Sequence, residues 1–256
     1  MDNDLGLENK VALITGAGQG IGQGIALSFA AVGVKVVAAG RTLEKCEATC
    51  ELIRERYGRD CIALRCDVGS LDDIEATVAA AVEAFGTIDI LVNNAVSTSL
   101  GPLLSQNDER VMRAFEVGPI ATLRMMQRCY PYLKTNGGSI VNMASSAAKR
   151  WDMTNYGVYA AEKEAIRALT RAAACEWGKD NIRANCILPH ANSPALQGWA
   201  QARPEEAAAF IKTIPMQRIG DCENDIGSFV TLLCSRHSAY VSGQSIAVDG
   251  GQAHLG

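Results

Sequence analysis

The sequence predicts an α/β fold: one doubly wound, mostly parallel sheet with helices on both faces. Three observations predict it. Apolar runs of strand length alternate with segments of helical period from Val11 to Val248. Few of those runs alternate polar with apolar residues, as expected of strands covered on both sides. The first run, Val11-Ala-Leu-Ile14, leads through glycines at 16, 18, 20 and 22 into a helical segment. A turn this rich in glycine lets an anion approach the backbone, and the helix behind it offers unpaired N–H groups and the positive end of its dipole.

The elements follow in order. The helix after the glycine turn spans Ile21 to Val32. Val34 to Ala39 is a second strand, and Thr42 is a candidate N-cap for a helix that Gly58 ends. Cys61 to Cys66 reads as the third strand. Ser70-Leu-Asp-Asp73 resembles a capping box and starts a helix to Phe85. Ile88 to Val92 is the fourth strand. One long helix is expected over Asp108–Tyr132, with Pro119 inside it. Ser139 to Met143, Ile182 to Leu188 and Ser245 to Val248 are strands, with helices at Tyr156–Trp177 and Asn224–Ser235. The stretch from Pro189 to about Arg218 is expected to be irregular, with one short helix from Pro204 to Lys212. No linker, repeat or low-complexity tract divides the chain, so residues 1–256 read as one domain with a substrate-covering segment at about 189–218.

The 256 residues can bury a sizeable core without staples. A net charge of −4 gives no reason to expect a nucleic-acid partner. The polar first ten residues and the absence of a bilayer-length apolar run predict a soluble, cytoplasmic protein with no membrane partner. Nine cysteines without a C-x-x-C pair read as free thiols in a reducing compartment, and no metal site is expected.

In such sheets ligands bind beyond the carboxyl ends of the strands. The glycine pattern departs from G-x-G-x-x-G, because position 21 is Ile; it is Thr15-Gly16-x-x-x-Gly20-Ile21-Gly22. It is not a P-loop, since no Gly-Lys-Ser/Thr follows. The second strand ends in Gly40-Arg41, where an NAD site usually carries an acid for the ribose 2′-hydroxyl. A guanidinium there favours a 2′-phosphate, so NADP(H) is the expected cofactor and NAD the alternative. Asp67, after the third strand, is the natural partner for an adenine amino group.

Tyr159 and Lys163 are four apart on one predicted helix and share a face. A free tyrosine, with a pKa of about 10, is a poor acid or base near neutrality. A neighbouring ammonium favours the phenolate, which makes the pair a candidate general acid/base. Ser146 stands just after a strand, thirteen positions earlier, where its hydroxyl can donate to a carbonyl oxygen.

Taken together, Thr15-Gly16-x-x-x-Gly20-Ile21-Gly22, Asp67-Val68, Asn93-Asn94-Ala95, Ser146, Tyr159-x-x-x-Lys163 and the closing Asp249-Gly250-Gly251 resemble the short-chain dehydrogenase/reductase family over essentially the whole chain. The resemblance implies a single Rossmann-like domain that moves a hydride between a nicotinamide and a carbinol or carbonyl carbon. It implies Ser146, Tyr159 and Lys163 as the catalytic set. Tyr159 would trade the oxygen-bound proton, Lys163 would hold the nicotinamide ribose, and Ser146 would orient the substrate oxygen. Gly16, Gly18, Gln19, Ile21, Arg41, Asp67, Val68, Asn94, Ala95, Tyr159, Lys163, Pro189 and Asn192 would hold the cofactor. The family's assemblies imply a homo-oligomer, a dimer or tetramer.

Three departures stand out. The family often has an Asn on the helix before Ser146 that supports a proton-carrying water chain; here the place is Val117-Gly118-Pro119. A carbonyl freed by Pro119, which has no N–H, is a candidate substitute. Val96 and His190 stand where Gly is usual, and His190 reads as pocket lining or surface. The substrate, a small-molecule alcohol or ketone of apolar, cyclic or aromatic character, is expected to meet Ala147–Tyr156 and Ala191–Met216, which hold Trp151, Met153, Tyr156, Trp199, Phe210 and Ile214. Packing of a lid or subunit interface is the other reading of those side chains. The competing functions are a cofactor-binding regulatory or structural homologue without turnover, and a methyltransferase with a similar sheet, which would need no Tyr–Lys pair.

Overall fold

The structure is a computed structural model, and it describes residues 4–149 and 154–253. Its strands are β1 (Val11–Thr15), β2 (Lys35–Gly40), β3 (Cys61–Arg65), β4 (Ile90–Asn93), β5 (Gly138–Met143), β6 (Ile182–Pro189) and β7 (Ser245–Val248). They form one sheet in the order β3-β2-β1-β4-β5-β6-β7, and every neighbouring pair is parallel. The order reverses direction between β1 and β4, which opens a crevice at their carboxyl ends.

The helices are α1 (Gly20–Ala31), α2 (Leu43–Tyr57), α3 (Leu71–Phe85), α4 (Asp108–Phe115), α5 (Ala121–Asn136), α6 (Gly157–Trp177), α7 (Pro194–Ala202), α8 (Pro204–Lys212) and α9 (Ser228–Cys234). Successive strand residues supply opposite faces. Ala12, Ile14, Val36 and Ala38 pack with Ile25 and Phe29 of α1, Ile53 of α2 and Val230 of α9. Val11, Leu13, Val37 and Ala39 pack with Ile74 and Val78 of α3 and with Met125 and Met126 of α5. Both faces being covered, the strand runs are mostly apolar, with Asn142 of β5 and Asn185 of β6 as fully buried polar exceptions, and burial of each large aliphatic side chain stabilises the sheet by about 1.5–3 kcal/mol.

Several local expectations hold. Ser70 Oγ accepts the Asp73 N–H at 3.2 Å, capping α3. Gly58 and Gly86 end α2 and α3 in the left-handed conformation, at φ of 60° and 78°.

Others need correction. Thr42 precedes α2, but its side chain makes no capping hydrogen bond. The long helix expected over Asp108–Tyr132 is three pieces: α4, a π-turn at Glu116–Ile120 containing Pro119, and α5, which continues through Pro131 to Asn136. A proline inside a helix removes one N–H, and a wider turn accommodates the mismatch. The segment at 189–218 holds two helices rather than one. The additional helix, α7, has Ser193 as N-cap and Pro194 in its first turn, a start signal present in the sequence. The helix expected at Asn224–Ser235 begins as a π-turn at Cys222–Gly227 before α9. Finally, Cys50 of α2 and Cys61 of β3 are joined as a disulfide, with Cα atoms 5.2 Å apart, whereas all cysteines were expected to be free thiols. Ten residues of intervening chain bring the two together because β3 packs directly against α2.

Candidate active site

The crevice at the β1–β4 switch point is a cleft of about 500 Å³. Its floor is the glycine turn. Gly16 and Gly20 have φ of 68° and 58°, which a side chain would strain. A Cβ on Gly22 would lie 2.3 Å from the Gly16 carbonyl oxygen, so no residue larger than glycine fits there without moving the turn. Thr15 and Asn94 hold the turn in place. Thr15 Oγ1 accepts the Asn94 and Ala95 N–H groups at 3.0 and 3.1 Å. Asn94 Nδ2 donates to the Thr15 and Gly16 carbonyls at 3.0 and 3.1 Å. The ends of two adjacent strands are thereby fastened through side chains, and the backbone behind Gly16 cannot drift.

Ten of the residues expected at the cofactor line this cleft: Gly16, Gly18, Gln19, Ile21, Arg41, Asp67, Val68, Asn94, Ala95 and Tyr159. Lys163, Pro189 and Asn192 do not reach its wall. Lys163 lies behind Tyr159, Pro189 ends β6 in register with Val248, and Asn192 is exposed, its N–H donating to the Gly220 carbonyl. Ser193, Pro194 and Ala195 line the cleft instead. Pro194 lies close to the glycine turn, for a Cβ on Gly20 would meet its Cδ at 3.2 Å. The covering segment therefore starts over the turn itself.

The end of the cleft nearest β2 is cationic. Arg41 and Lys45 are exposed and both line it, and Lys45 Nζ donates to Gln19 Oε1 at 2.6 Å. Lys45 was missed by the sequence reading; it lies on the first turn of α2, four residues after Arg41. Asp67 is engaged from a distance in sequence. Its carboxylate accepts the Gly69 N–H at 2.9 Å and both oxygens accept Arg113 Nη2, at 3.1 and 2.9 Å. Burial pushes the Asp67 carboxyl up, but the Gly69 N–H and the Arg113 guanidinium outweigh it and hold it below the ordinary carboxylate value. No local signal at Arg113 announces this pairing.

At the other end, Tyr159 on α6 lines the cleft, with the Lys163 ammonium 5.4 Å from its ring centroid. Lys163 is buried, and its Nζ donates to the Met143 carbonyl at 3.2 Å, which ties α6 to the end of β5. Ser146 follows β5 and is also buried. Glu162, one residue before Lys163, was not singled out in the sequence. It is wholly buried, its Oε1 is 4.0 Å from Lys163 Nζ, and neither carboxyl oxygen has a hydrogen-bond partner among the described residues. It also occupies the room beside Gly118, where a Cβ would come within 3.3 Å of Oε2. A side chain at 118 would press on that carboxyl, so the buried acid uses the room that Gly118 leaves.

His190 and Trp199 each pack edge-on against Phe210, at 5.2 and 5.8 Å between centroids, and Ile214 is fully buried. These side chains pack the covering segment together. Tyr156 stands edge-on to Tyr159 at 6.1 Å. Trp151 and Met153 lie outside the described residues.

Comparison with known proteins agrees with this architecture. A family model described as Enoyl-(Acyl carrier protein) reductase matches residues 16–253. The chain is 39% identical to a 12alpha-hydroxysteroid dehydrogenase of Clostridium sp., covering 95% of this chain and 96% of that one. It is 35% identical to galactitol 2-dehydrogenase of Agrobacterium fabrum, over 96% and 98% of the two chains. Among solved structures, a 7 alpha-hydroxysteroid dehydrogenase complexed with NADH and 7-oxo glycochenodeoxycholic acid superposes with a TM-score of 0.92 at 32% identity, covering 100% and 99%. The protein is thus an NAD(P)-dependent enzyme of alcohol and ketone interconversion. With a parallel sheet whose switch point carries the glycine turn, and with relatives matched end to end, the chain belongs to the short-chain dehydrogenase/reductase family.

Proposed function

We propose that this enzyme interconverts a secondary alcohol and a ketone on a bulky, apolar, polycyclic substrate of hydroxysteroid type, with NADP(H) as cofactor and Ser146, Tyr159 and Lys163 as the catalytic set. The observation that carries the reading is the buried Lys163 ammonium lying behind Tyr159 at one end of the glycine-floored cleft.

The residues present fit a dinucleotide. At Gly16, Gly18 and Gly22 a Cβ would run into Asn94, Lys45 and the Gly16 carbonyl, so glycine alone keeps the turn this tight and its backbone open to an anion, and the N-terminus of α1 offers backbone N–H groups to a pyrophosphate. Arg41 and Lys45 supply two cations, suited to a 2′-phosphate, at the end of β2. Asp67, held by Arg113, suits an adenine amino group. When bound, the nicotinamide supplies or accepts the hydride. Tyr159 gives its phenolic proton to the substrate oxygen in reduction and takes it back in oxidation. Lys163 favours the phenolate by its charge and is held in place by the Met143 carbonyl. The Ser146 hydroxyl orients the substrate oxygen, and the segment at 189–218, with Pro189 and Asn192 near its start, covers the reacting end.

The steroid class is supported by the two hydroxysteroid dehydrogenases among the relatives and by apolar side chains around this end. Val96 lines the cleft and is exposed, as are Leu100 and Leu103. Leu103 reaches the start of α6, two residues before Tyr159, where a Cβ on Gly157 would meet its Cδ2 at 2.6 Å. Among the described residues no helix is long and apolar enough to cross a membrane. We take the protein to be cytoplasmic, from its composition, and a homo-oligomer, as family resemblance implies, and size-exclusion chromatography with light scattering checks the assembly.

The test is reduction of a panel of oxo-steroids, small cyclic ketones and ketoses with NADPH or NADH. Faster turnover of oxo-steroids with NADPH is the expected result. Turnover of ketoses alone overturns the substrate class. Cofactor binding without turnover of any panel member favours the regulatory homologue.

A further inference from the structure

We propose that Glu162 is a positioning residue for the reaction: its buried carboxyl lies against Lys163 in the room left by Gly118, and its protonation state sets the net charge of the Glu162–Lys163 pair that faces Tyr159. This rests on the assignment of Tyr159 as the acid/base above.

The geometry is specific. On α6, Glu162 and Lys163 follow Tyr159 by three and four residues and lie on neighbouring strips of one helix face. Glu162 is 0% exposed, and its Oε1 is 4.0 Å from Lys163 Nζ. Lys163 spends one donor on the Met143 carbonyl rather than on this carboxyl. Neither oxygen of Glu162 finds a donor among the described residues. An ionised carboxylate buried without donors is costly, whereas a neutral acid at the same place is far less so.

Among the described residues, the other charged groups on the elements packed around it are engaged elsewhere or face solvent. Glu116, at the start of the π-turn, pairs with Arg124. On α4, Arg113 pairs with Asp67, while Asp108, Glu109 and Arg110 are exposed. On α6, Arg167 pairs with Glu164, and Lys149 lies 3.9 Å from that same carboxylate. On β6, the buried Cys186 thiol is pushed up to about 11 and stays neutral. Lys163 is therefore the charge that Glu162 feels. Burial pushes the Glu162 carboxyl up to about 7, with the Lys163 ammonium acting in the opposite sense.

The consequence is a switchable local charge. With Glu162 protonated, Tyr159 faces the full positive charge of Lys163. With Glu162 ionised, the pair is neutral, and the phenolate loses that support. The proton that Glu162 releases goes to solvent; no bond to carbon changes.

Two measurements test this. Infrared difference spectra of wild type against Glu162→Gln, followed from about pH 5 to about pH 9, are expected to show a protonated carboxyl that disappears near neutrality. A carboxylate band at every pH overturns the proposal. In steady-state oxidation of the best alcohol, Glu162→Gln removes the opposing charge at all pH values. Its kcat profile is expected to move about one unit to lower pH, with KM nearly unchanged. Glu162→Asp, which keeps a titrating group, is expected to return most of the wild-type profile. A Glu162→Gln profile that superimposes on wild type overturns the proposal. Should Glu162→Gln fail to fold, Glu162→Met takes its place, since it too removes the opposing charge, and an unmoved profile there overturns the proposal. Failure of the Tyr159 assignment is separate: Tyr159→Phe would then keep its turnover while the infrared signal of Glu162 persists.

Discussion

The two ends of the cleft use charge in opposite ways. Near β2, the charges are wet: Arg41 and Lys45 are exposed, and the Arg113–Asp67 pair keeps 43% and 29% of its side-chain surface. Near β5, they are dry: Lys163 and Glu162 keep 3% and 0%. In water an ion pair is worth about 0–1 kcal/mol and mainly sorts one ligand from another. Away from water the same charges shift the protonation of their neighbours, and burial becomes the control. On the proposed assignment, recognition of the cofactor rests on exposed cations that cost the fold little, whereas acid–base chemistry uses a lysine that the core has taken out of solvent.

The sharpest way to break this comparison is at the dry end. Tyr159→Phe is expected to lower kcat by about 10²–10⁴-fold while cofactor binding, followed by nicotinamide fluorescence, stays intact. A fall in binding with little change in kcat would move the chemistry elsewhere. Next in size is the floor that both ends share. Gly22→Ala places a methyl 2.3 Å from the Gly16 carbonyl, and is expected to destabilise the fold by about 2–4 kcal/mol and abolish the melting-temperature rise on adding cofactor.

Glu162→Gln sharpens the dry end through stability. A carboxyl raised from 4.5 to about 7 holds its proton in the folded state where the unfolded chain has lost it. Folding is therefore favoured below the unfolded value, and stability falls as pH rises through the window from 4.5 to about 7. Glu162→Gln removes that loss, so the variant is expected to gain stability relative to wild type above neutrality, by roughly 3 kcal/mol at most, and to gain little at acid pH. Denaturant melts at two pH values measure it, and a pH-independent difference would contradict it. The smallest effect is expected at the wet end. Arg41→Ala and Lys45→Ala should each lower the preference for NADPH over NADH by about fivefold to tenfold, read as the ratio of kcat/KM values. Unchanged ratios in both would return the cofactor assignment to NAD.

The uneven legibility of the two ends has a physical origin. The glycine turn, Arg41, Asp67 and the Tyr159–Lys163 spacing are local patterns, each forced by the conformation or chemistry of a few consecutive residues. Glu162 also stood within the quoted Tyr159-to-Lys163 stretch, yet nothing in that spacing says that its carboxyl would turn toward Gly118. Arg113 reaches Asp67 across 46 positions, and Lys163 reaches Met143 across 20. The division of the helix at Glu116–Ile120 was foreshadowed by Pro119, whereas its form as a π-turn depends on what α4, α5 and α6 pack against. The Cys50–Cys61 pairing required knowing that β3 packs against α2.

By itself, then, the sequence determined the alternation of strands and helices, the apolar runs that bury both sheet faces, and the glycines that make a cofactor-sized floor, because backbone geometry and hydrophobic period act over a few residues. Only the tertiary structure decided which side chains meet across the cleft: the cover that starts at Ser193, the guanidinium on Asp67, and the acid beside Lys163. Those contacts join segments tens of residues apart, and whether a charge is dry depends on every element that packs around it.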